Sequence, residues 1–331
     1  KVNYVNNDSY QKIVIIAQMV DATTYNRIMK EARDNSITNL YVFFRNFWGE
    51  INQEAYIDNW HIRYLCDYLQ EQLFSYLGGR EIDLNVIINI PPGTSKSTII
   101  SQMFPVWAWL HAPNLVFITT SYNPAISIDN SIRSKTIVKS EKFREFFSDY
   151  FVQRFGKPFR LTKDTERDWR NSFGGMRYAT ATNGVVTGKH ANFIIRDDPM
   201  SASHVDSKAY MRAAHNFNDR TLPSRMKDKD RTPIYTIMQR LHEDDTTGHE
   251  LKKKGKVIKH ICLPCELSDL VQPAELKEYY TDGLLDPIRL SRSALEKQRI
   301  DLGAYAYSGQ YEQNPVIEGG NIVKKEWLTT I

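Results

Sequence analysis

Asn85-Val-Ile-Ile-Asn-Ile-Pro-Pro-Gly-Thr-Ser-Lys-Ser-Thr98 runs from a short apolar strand into a tight turn that ends in a lysine and a hydroxyl and opens a helix. A turn of this kind gathers backbone N–H groups beside the positive end of the helix that follows, which makes a cradle for phosphate. In that reading Pro92, Gly93, Thr94, Ser95, Lys96, Ser97 and Thr98 surround the phosphates of a nucleotide. Lys96 reaches the outer ones, and the Ser97 hydroxyl can ligate Mg²⁺. The match to G-x-x-x-x-G-K-[ST] is imperfect, because Ile90 and Ser95 stand where that pattern has glycine. On its own the run reads equally as an ordinary strand–turn–helix corner.

A second stretch, Asn192-Phe-Ile-Ile-Arg-Asp-Asp-Pro199, is another apolar strand, ending in two carboxylates and a proline. This is the pattern of a Walker B strand. One carboxylate, Asp197, would hold the magnesium shell, and its neighbour, Asp198, would orient or deprotonate an attacking water. Such a pair after a lysine-bearing loop favours a nucleotide site over a solvated turn.

The rest of the chain is that of an ordinary globular protein. Its 331 residues can bury a full core, with 41% hydrophobic and 25% charged residues. Forty-three basic residues against 39 acidic give a net charge of +4, which permits a polyanionic partner without demanding one. The most apolar runs, Lys12 to Val20 and Leu115 to Thr120, are too short to cross a bilayer, and no cleavage signal is evident; the expectation is a protein that is neither secreted nor membrane-bound. The chain starts at Lys1, which suggests a fragment of something longer. Cys66, Cys262 and Cys265 fit a reducing compartment. Cys262-Leu-Pro-Cys265 has redox spacing but the wrong context, following a late strand with no second pair to complete a zinc site. The eight histidines show no metal-ligand spacing.

Residues 1–84 read as a mostly helical segment packed on the core, with amphipathic stretches from Thr23 to Asn46 and from Trp60 to Tyr76. Residues 85–265 read as the core. Strands are expected at Asn85–Ile90, Leu115–Thr120, Phe193–Arg196, Pro233–Gln239 and Lys256–Leu263, separated by helices at Ser97–Leu110, Ala125–Lys139 and Ser207–Thr221. Pro105 should kink the first helix. Alternation of this kind specifies an α/β fold, with a mostly parallel sheet covered by helices. The glycine-punctuated run from Ser172 to Gly184 reads as a β-excursion before the carboxylate-bearing strand. The 101 positions from Lys96 to Asp197 leave room for a further strand, which places the fold in the additional-strand class of P-loop NTPases. Residues 266–331 read as a small linker subdomain with a helix near Ser291 to Leu302 and a break at Gly319-Gly320.

Six segments in order resemble the ATPase portion of the large terminase subunit of tailed double-stranded DNA bacteriophages. They are Ile90 to Ser97; Thr120 to Asn123 with the helix after it; Gly174 to Tyr178 with Gly184 to Gly188; Asp197 to Pro199; Gln239 to Asp245 with Gly248; and Gln310 to Pro315 with Gly319-Gly320. The resemblance implies ATP and Mg²⁺ as cofactors, Lys96 on the β and γ phosphates, Ser97 and Asp197 on the metal, and Asp198 in the place of a catalytic glutamate. It also implies a coupling motif on the strand after Ile234, with Thr236 and Gln239 as candidates to sense the γ-phosphate. Thr236 reads equally as a β-favouring residue and Arg240 to Asp245 as a solvated turn. The implied partners are double-stranded DNA, the portal protein of the procapsid, the small terminase subunit and neighbouring copies in a pentameric ring, all in the host cytoplasm.

Two departures stand out. Gly93 occupies a position where many terminases carry an arginine, so the transition-state cation must come from elsewhere; Arg225, Lys189 and Arg177 are candidates, in the same chain or a neighbour. The nuclease domain of complete large terminases is also missing. Only one acid, Glu326, lies between Asn321 and Ile331, so no nuclease activity is expected from this chain. Lys252-Lys-Lys-Gly-Lys256 with Lys259 is the densest basic run, either a phosphate-tracking surface or a solvated loop. Trp60, His61 and Gln53 are candidates for the adenine side. A degenerate P-loop scaffold or a helicase-like ATPase remains the alternative, although too little chain follows Leu263 for a second helicase domain.

Overall fold

The computed structural model describes residues 21–316 except Val185 and Thr187. Eight strands form one sheet: β1 (Asn85–Asn89), β2 (Val116–Ser121), β3 (Leu161–Asp164), β4 (Asp168–Asn171), β5 (Met176–Ala181), β6 (Phe193–Asp197), β7 (Ile234–Met238) and β8 (Lys259–Cys262). Their spatial order is β3-β4-β5-β2-β6-β7-β1-β8. All neighbours are parallel except β3–β4 and β4–β5; the glycine-punctuated run supplies β5 of this excursion, while β3 and β4 lie upstream of it. The strand that separates β1 from β6 is β7, which comes after Asp197 in the chain. The additional strand therefore lies between the two motifs in space, although it lies outside the 101-residue interval between them in sequence.

Helices on both faces explain why the central strands are apolar along their whole length rather than alternating. Along β6, Phe193 and Ile195 enter the large cluster on one face while Ile194 enters a smaller one on the other. The large cluster runs from Met29 in the first described helix (Ala22–Thr38) to Tyr311, so the helical segment, the sheet and the C-terminal segment share one core across residues 84 and 265. Helix Glu141–Phe155 has no counterpart in the sequence reading. It packs Phe143, Phe146 and Phe147 on Phe47, with Ser140 as N-cap and Gly156 in the left-handed conformation at its end.

The kink expected at Pro105 takes the form of a π-helical turn, Thr98–Met103, before an α-helix at Phe104–His111. Pro105 has no N–H to offer the Ser101 carbonyl. Arg177, from β5, supplies the donor instead, through Nη2 at 2.6 Å. The helix after β2, Pro124–Lys139, turns a polar stripe inward: Ser127, Asn130, Ser131 and Ser134 are all buried at helical spacing.

Candidate active site

Register sets the site. Asn89 is level with Met238, and Asp197 is level with Ile237, so the ends of β1, β7 and β6 lie side by side at one edge of the sheet. Beyond β1 the paired prolines lead into a loop in which Gly93 has φ +76° and Ser95 φ +64°. Ser95 thus adopts the left-handed conformation that the absent glycine would supply, at a cost of about 1–2 kcal/mol. Thr94 is fully buried, its hydroxyl donating to the Pro91 carbonyl (2.8 Å). The Thr94 carbonyl takes a hydrogen bond from His61 Nε2 at 3.0 Å. Burial pushes the His61 imidazole down to about 4, which leaves it neutral near pH 7. The Ile99 N–H bonds to the Ser95 carbonyl and starts the helix. The result is a loop of positive-φ residues at a helix N-terminus, a geometry suited to anions.

Three strand ends converge on this loop. Lys96, 7% exposed, donates from Nζ to Gln239 Oε1 at 3.1 Å, just beyond β7, and lies 3.9 Å from Asp198 Oδ2. The Ser97 hydroxyl donates to Asp197 Oδ1 at 2.9 Å. Asn130 donates to the other oxygen, Oδ2, at 2.9 Å. Burial, and then the neighbouring Asp198, pushes the Asp197 carboxyl above the usual range; burial also raises Asp198, against the pull of Lys96. Asp198 has φ +43° immediately before a proline. Its N–H donates to the Ile237 carbonyl (2.8 Å), and its own carbonyl accepts from the Tyr122 N–H (2.9 Å) and the Ser121 hydroxyl (3.2 Å). Strain of this kind, held by several bonds, is characteristic of functional positions.

The residues fit a magnesium ion. A hydroxyl and a carboxylate are the hard oxygen donors it prefers, and two protein ligands leave room for water and phosphate. Asp198 Oδ1 is buried without a hydrogen-bond partner among the described residues, an orphaned acceptor on the residue next to Asp197. No cluster of three or more His, Cys, Asp or Glu suited to a metal occurs among the described residues.

Other sequence candidates fall elsewhere. Thr236 accepts from Arg196 Nε (2.8 Å), and Arg196 is paired with buried Glu250 (2.9 Å); Thr236 is therefore occupied inside the core. Arg240 to Asp245 is a built turn rather than a solvated one. Asp245, fully buried, binds Arg240 Nε (2.9 Å) and the Leu241 and Gly248 N–H groups (2.9 Å each). Gln313 Oε1 accepts the Arg240 N–H at 3.0 Å, which ties the C-terminal segment to the turn. Arg225 is not brought to this site. Its carbonyl pairs with the Ala191 N–H at the start of β6, roughly 20 Å from Asp197 at about 3.3 Å per residue. Arg177 is buried in the core, and Lys189 is held by Asp168 (2.9 Å). In the basic run Lys252 pairs with Asp244, Lys253 with Asp219 and Glu250, and Lys256 with Glu250, so much of its charge is neutralised internally. Trp60 stacks on Tyr279 (5.5 Å) at the wall of a cavity of about 750 Å³, while Gln53 is exposed. The Cys262 and Cys265 thiols are buried and pushed up to about 12 by burial. Gly319-Gly320 and Glu326 lie outside the described residues. Sequence reasoning missed Gln102, Asn130 and Gln313; for Asn130 the signal was the polar stripe on its helix.

A mostly parallel sheet, a positive-φ lysine loop after β1, an acid pair at the end of β6 and a strand inserted between them define an α/β fold of the P-loop NTPase kind. No protein-family model and no curated protein sequence matches the chain. Among solved structures it is similar to the HK97 bacteriophage large terminase, with TM-score 0.48 and 12% identity over 80% of this chain and 52% of that one. It is also similar to the large terminase of a thermophilic bacteriophage in complex with ADP, with TM-score 0.43 and 12% identity over 74% and 52% of the two chains. A third is the Thermus phage P74-26 large terminase ATPase domain, with TM-score 0.45 and 10% identity over 73% and 93%. The chain spans about half the length of the first two.

Proposed function

We propose that the chain is the ATPase portion of a viral DNA-packaging terminase, hydrolysing ATP to drive double-stranded DNA into a procapsid. The observation that carries this reading is the convergence of Lys96, Gln239 and the Asp197–Asp198 pair from three strand ends on one phosphate-shaped loop. The order of the terminase-like segments along the chain supports the choice of motor over other P-loop enzymes.

In this reading the loop N–H groups of residues 93–97 hold the phosphates, and Lys96 leaves Gln239 and Asp198 to neutralise the outer ones. Ser97 and Asp197 would hold Mg²⁺, which when bound would neutralise phosphate charge. Asp198 orients the attacking water and takes its proton; its partnerless Oδ1 and raised pKa suit a base. Gln239, released from Lys96, reports the state of the site to the Arg240–Asp245 turn, and through Gln313 to the C-terminal segment. The cavity beside Trp60 is the proposed adenine side. A neighbouring copy supplies the transition-state cation, Arg225 being a candidate for that role in trans. The proposed partners are duplex DNA, the portal, the small terminase subunit and four further copies, in the host cytoplasm during assembly.

The test is displacement of a triplex-forming oligonucleotide from linear duplex DNA, at protein concentrations where the hydrolysis rate has levelled off. ATP should drive displacement, and neither a non-hydrolysable analogue nor the Lys96→Ala protein should. Rapid hydrolysis with no displacement would contradict translocation while leaving the ATPase standing.

A further inference from the structure

Asp197 is fully buried, and both of its carboxylate oxygens are engaged, one by the Ser97 hydroxyl and one by the amide of Asn130. The second contact continues inward. Asn130 Oδ1 accepts from Gln102 Nε2 at 2.7 Å, and Asn130 and Gln102 are themselves 4% and 5% exposed. The direction of this chain is fixed by its end. A carboxylate can only accept, so Asn130 must present its NH₂ to Asp197 and its oxygen to Gln102, which must then present its own NH₂. Gln102 Oε1 is left buried without a hydrogen-bond partner among the described residues, so its desolvation is uncompensated there.

The two amides come from different elements. Gln102 lies in the π-helical turn behind the phosphate loop, and Asn130 lies on the helix after β2, among serines that bond elsewhere. Ser127 donates to the Thr180 carbonyl (2.7 Å), Ser131 accepts from Trp169 Nε1 (2.8 Å) and Ser134 donates to the Gln102 carbonyl (2.7 Å). These small side chains bring the helix close to the sheet, and only Asn130 reaches the carboxylate among them. A donor on Oδ2 fixes the plane of the carboxylate and leaves Oδ1, next to Ser97, as the oxygen turned toward a cation. Partners that orient a metal's ligand in this way commonly change metal affinity 10- to 100-fold when removed.

We propose that Asn130, backed by Gln102, is a positioning residue that sets Asp197 for magnesium. This rests on the ATPase reading above. The test is equilibrium binding of a fluorescent ADP analogue with Mg²⁺ and with EDTA, read as the ratio of the two dissociation constants. Wild-type protein should bind more tightly with Mg²⁺. Asn130→Ala should cut that advantage by about tenfold while leaving the EDTA constant unchanged. Gln102→Met should move the ratio in the same direction by less, and it serves as the deciding variant if Asn130→Ala does not fold. Ser131→Ala, which removes the Trp169 partner from the same helix, should leave the ratio at the wild-type value. A wild-type ratio in both Asn130→Ala and Gln102→Met, or a lowered melting temperature with both constants unchanged, would overturn the proposal. Wild-type protein that binds nucleotide equally with and without Mg²⁺ would instead overturn the ATPase reading itself.

Discussion

Asp198 and Asp197 are adjacent in sequence, yet their surroundings divide their work. Asp197 is locked by Ser97 and Asn130, whereas Asp198 keeps one free oxygen and faces Lys96. Asp198→Asn should therefore leave nucleotide affinity near wild type and lower turnover by about 10²-fold or more, because a water-orienting base acts in the transition state. Asp197→Asn should raise the magnesium concentration needed for half-maximal binding. Identical behaviour of the two variants in a joint nucleotide and metal titration would refute this division. A second residue-scale consequence concerns Glu250. Burial opposes its charge, but Arg196 and Lys256 hold its carboxyl well below the usual range. A depressed folded pKa contributes stability that is present above the ordinary glutamate value of about 4.3 and is lost as pH falls below it. Wild-type stability to urea should thus decline from about pH 5 downward more steeply than that of Glu250→Gln. That variant should be about 3 kcal/mol less stable at pH 7, because Arg196 is left buried without its carboxylate. Lys96, Ser97 and the acid pair were legible in the sequence because each sits in a local strand–turn pattern. Gln102 and Asn130 were not, and His61, named as an adenine-side candidate, instead supports the Thr94 carbonyl; a buried amide or imidazole gains meaning only from what the fold sets against it.

At the scale of elements, the turn between β7 and the helix Thr246–Leu251 is the most constrained. A Cβ on Gly248 would stand 1.8 Å from the Glu243 carbonyl oxygen, so the turn can close only around glycine. Gly248→Ala should cost about 3 kcal/mol, read as a shift in the urea midpoint, and should lower hydrolysis by displacing Gln239; an unchanged midpoint would show that the turn can open without loss. The sequence gives the core strands to within a few residues because apolar runs between turn residues mark them. It gives β7 no place in the sheet, since pairing order is not a local property. Helix Glu141–Phe155 went unread, although its phenylalanines at 143, 146, 147 and 151 are spaced for one helix face. Helix Pro124–Lys139 was expected almost to the residue, but which side it turns inward was not legible, because a buried stripe of serine and asparagine imitates a solvent face.

For the whole molecule, the proposed nucleotide site takes its phosphate loop and acid pair from one fold and would take its transition-state cation from a neighbour. None of Arg177, Lys189 and Arg225 is brought to the phosphate loop of its own chain: the first is buried in the core, the second is paired with Asp168 and the third lies at the far edge of the sheet. Specific activity should therefore rise several-fold with protein concentration, as copies assemble; a flat profile at a high rate would mean that one chain suffices. The most direct measurement is steady-state release of phosphate from Mg-ATP by wild-type protein beside Lys96→Ala, with circular dichroism to confirm that both are folded. A phosphate-binding role for Lys96 predicts hydrolysis in the wild type and a loss of at least about 10²-fold in the variant. Folded Lys96→Ala protein turning over ATP at the wild-type rate would contradict it.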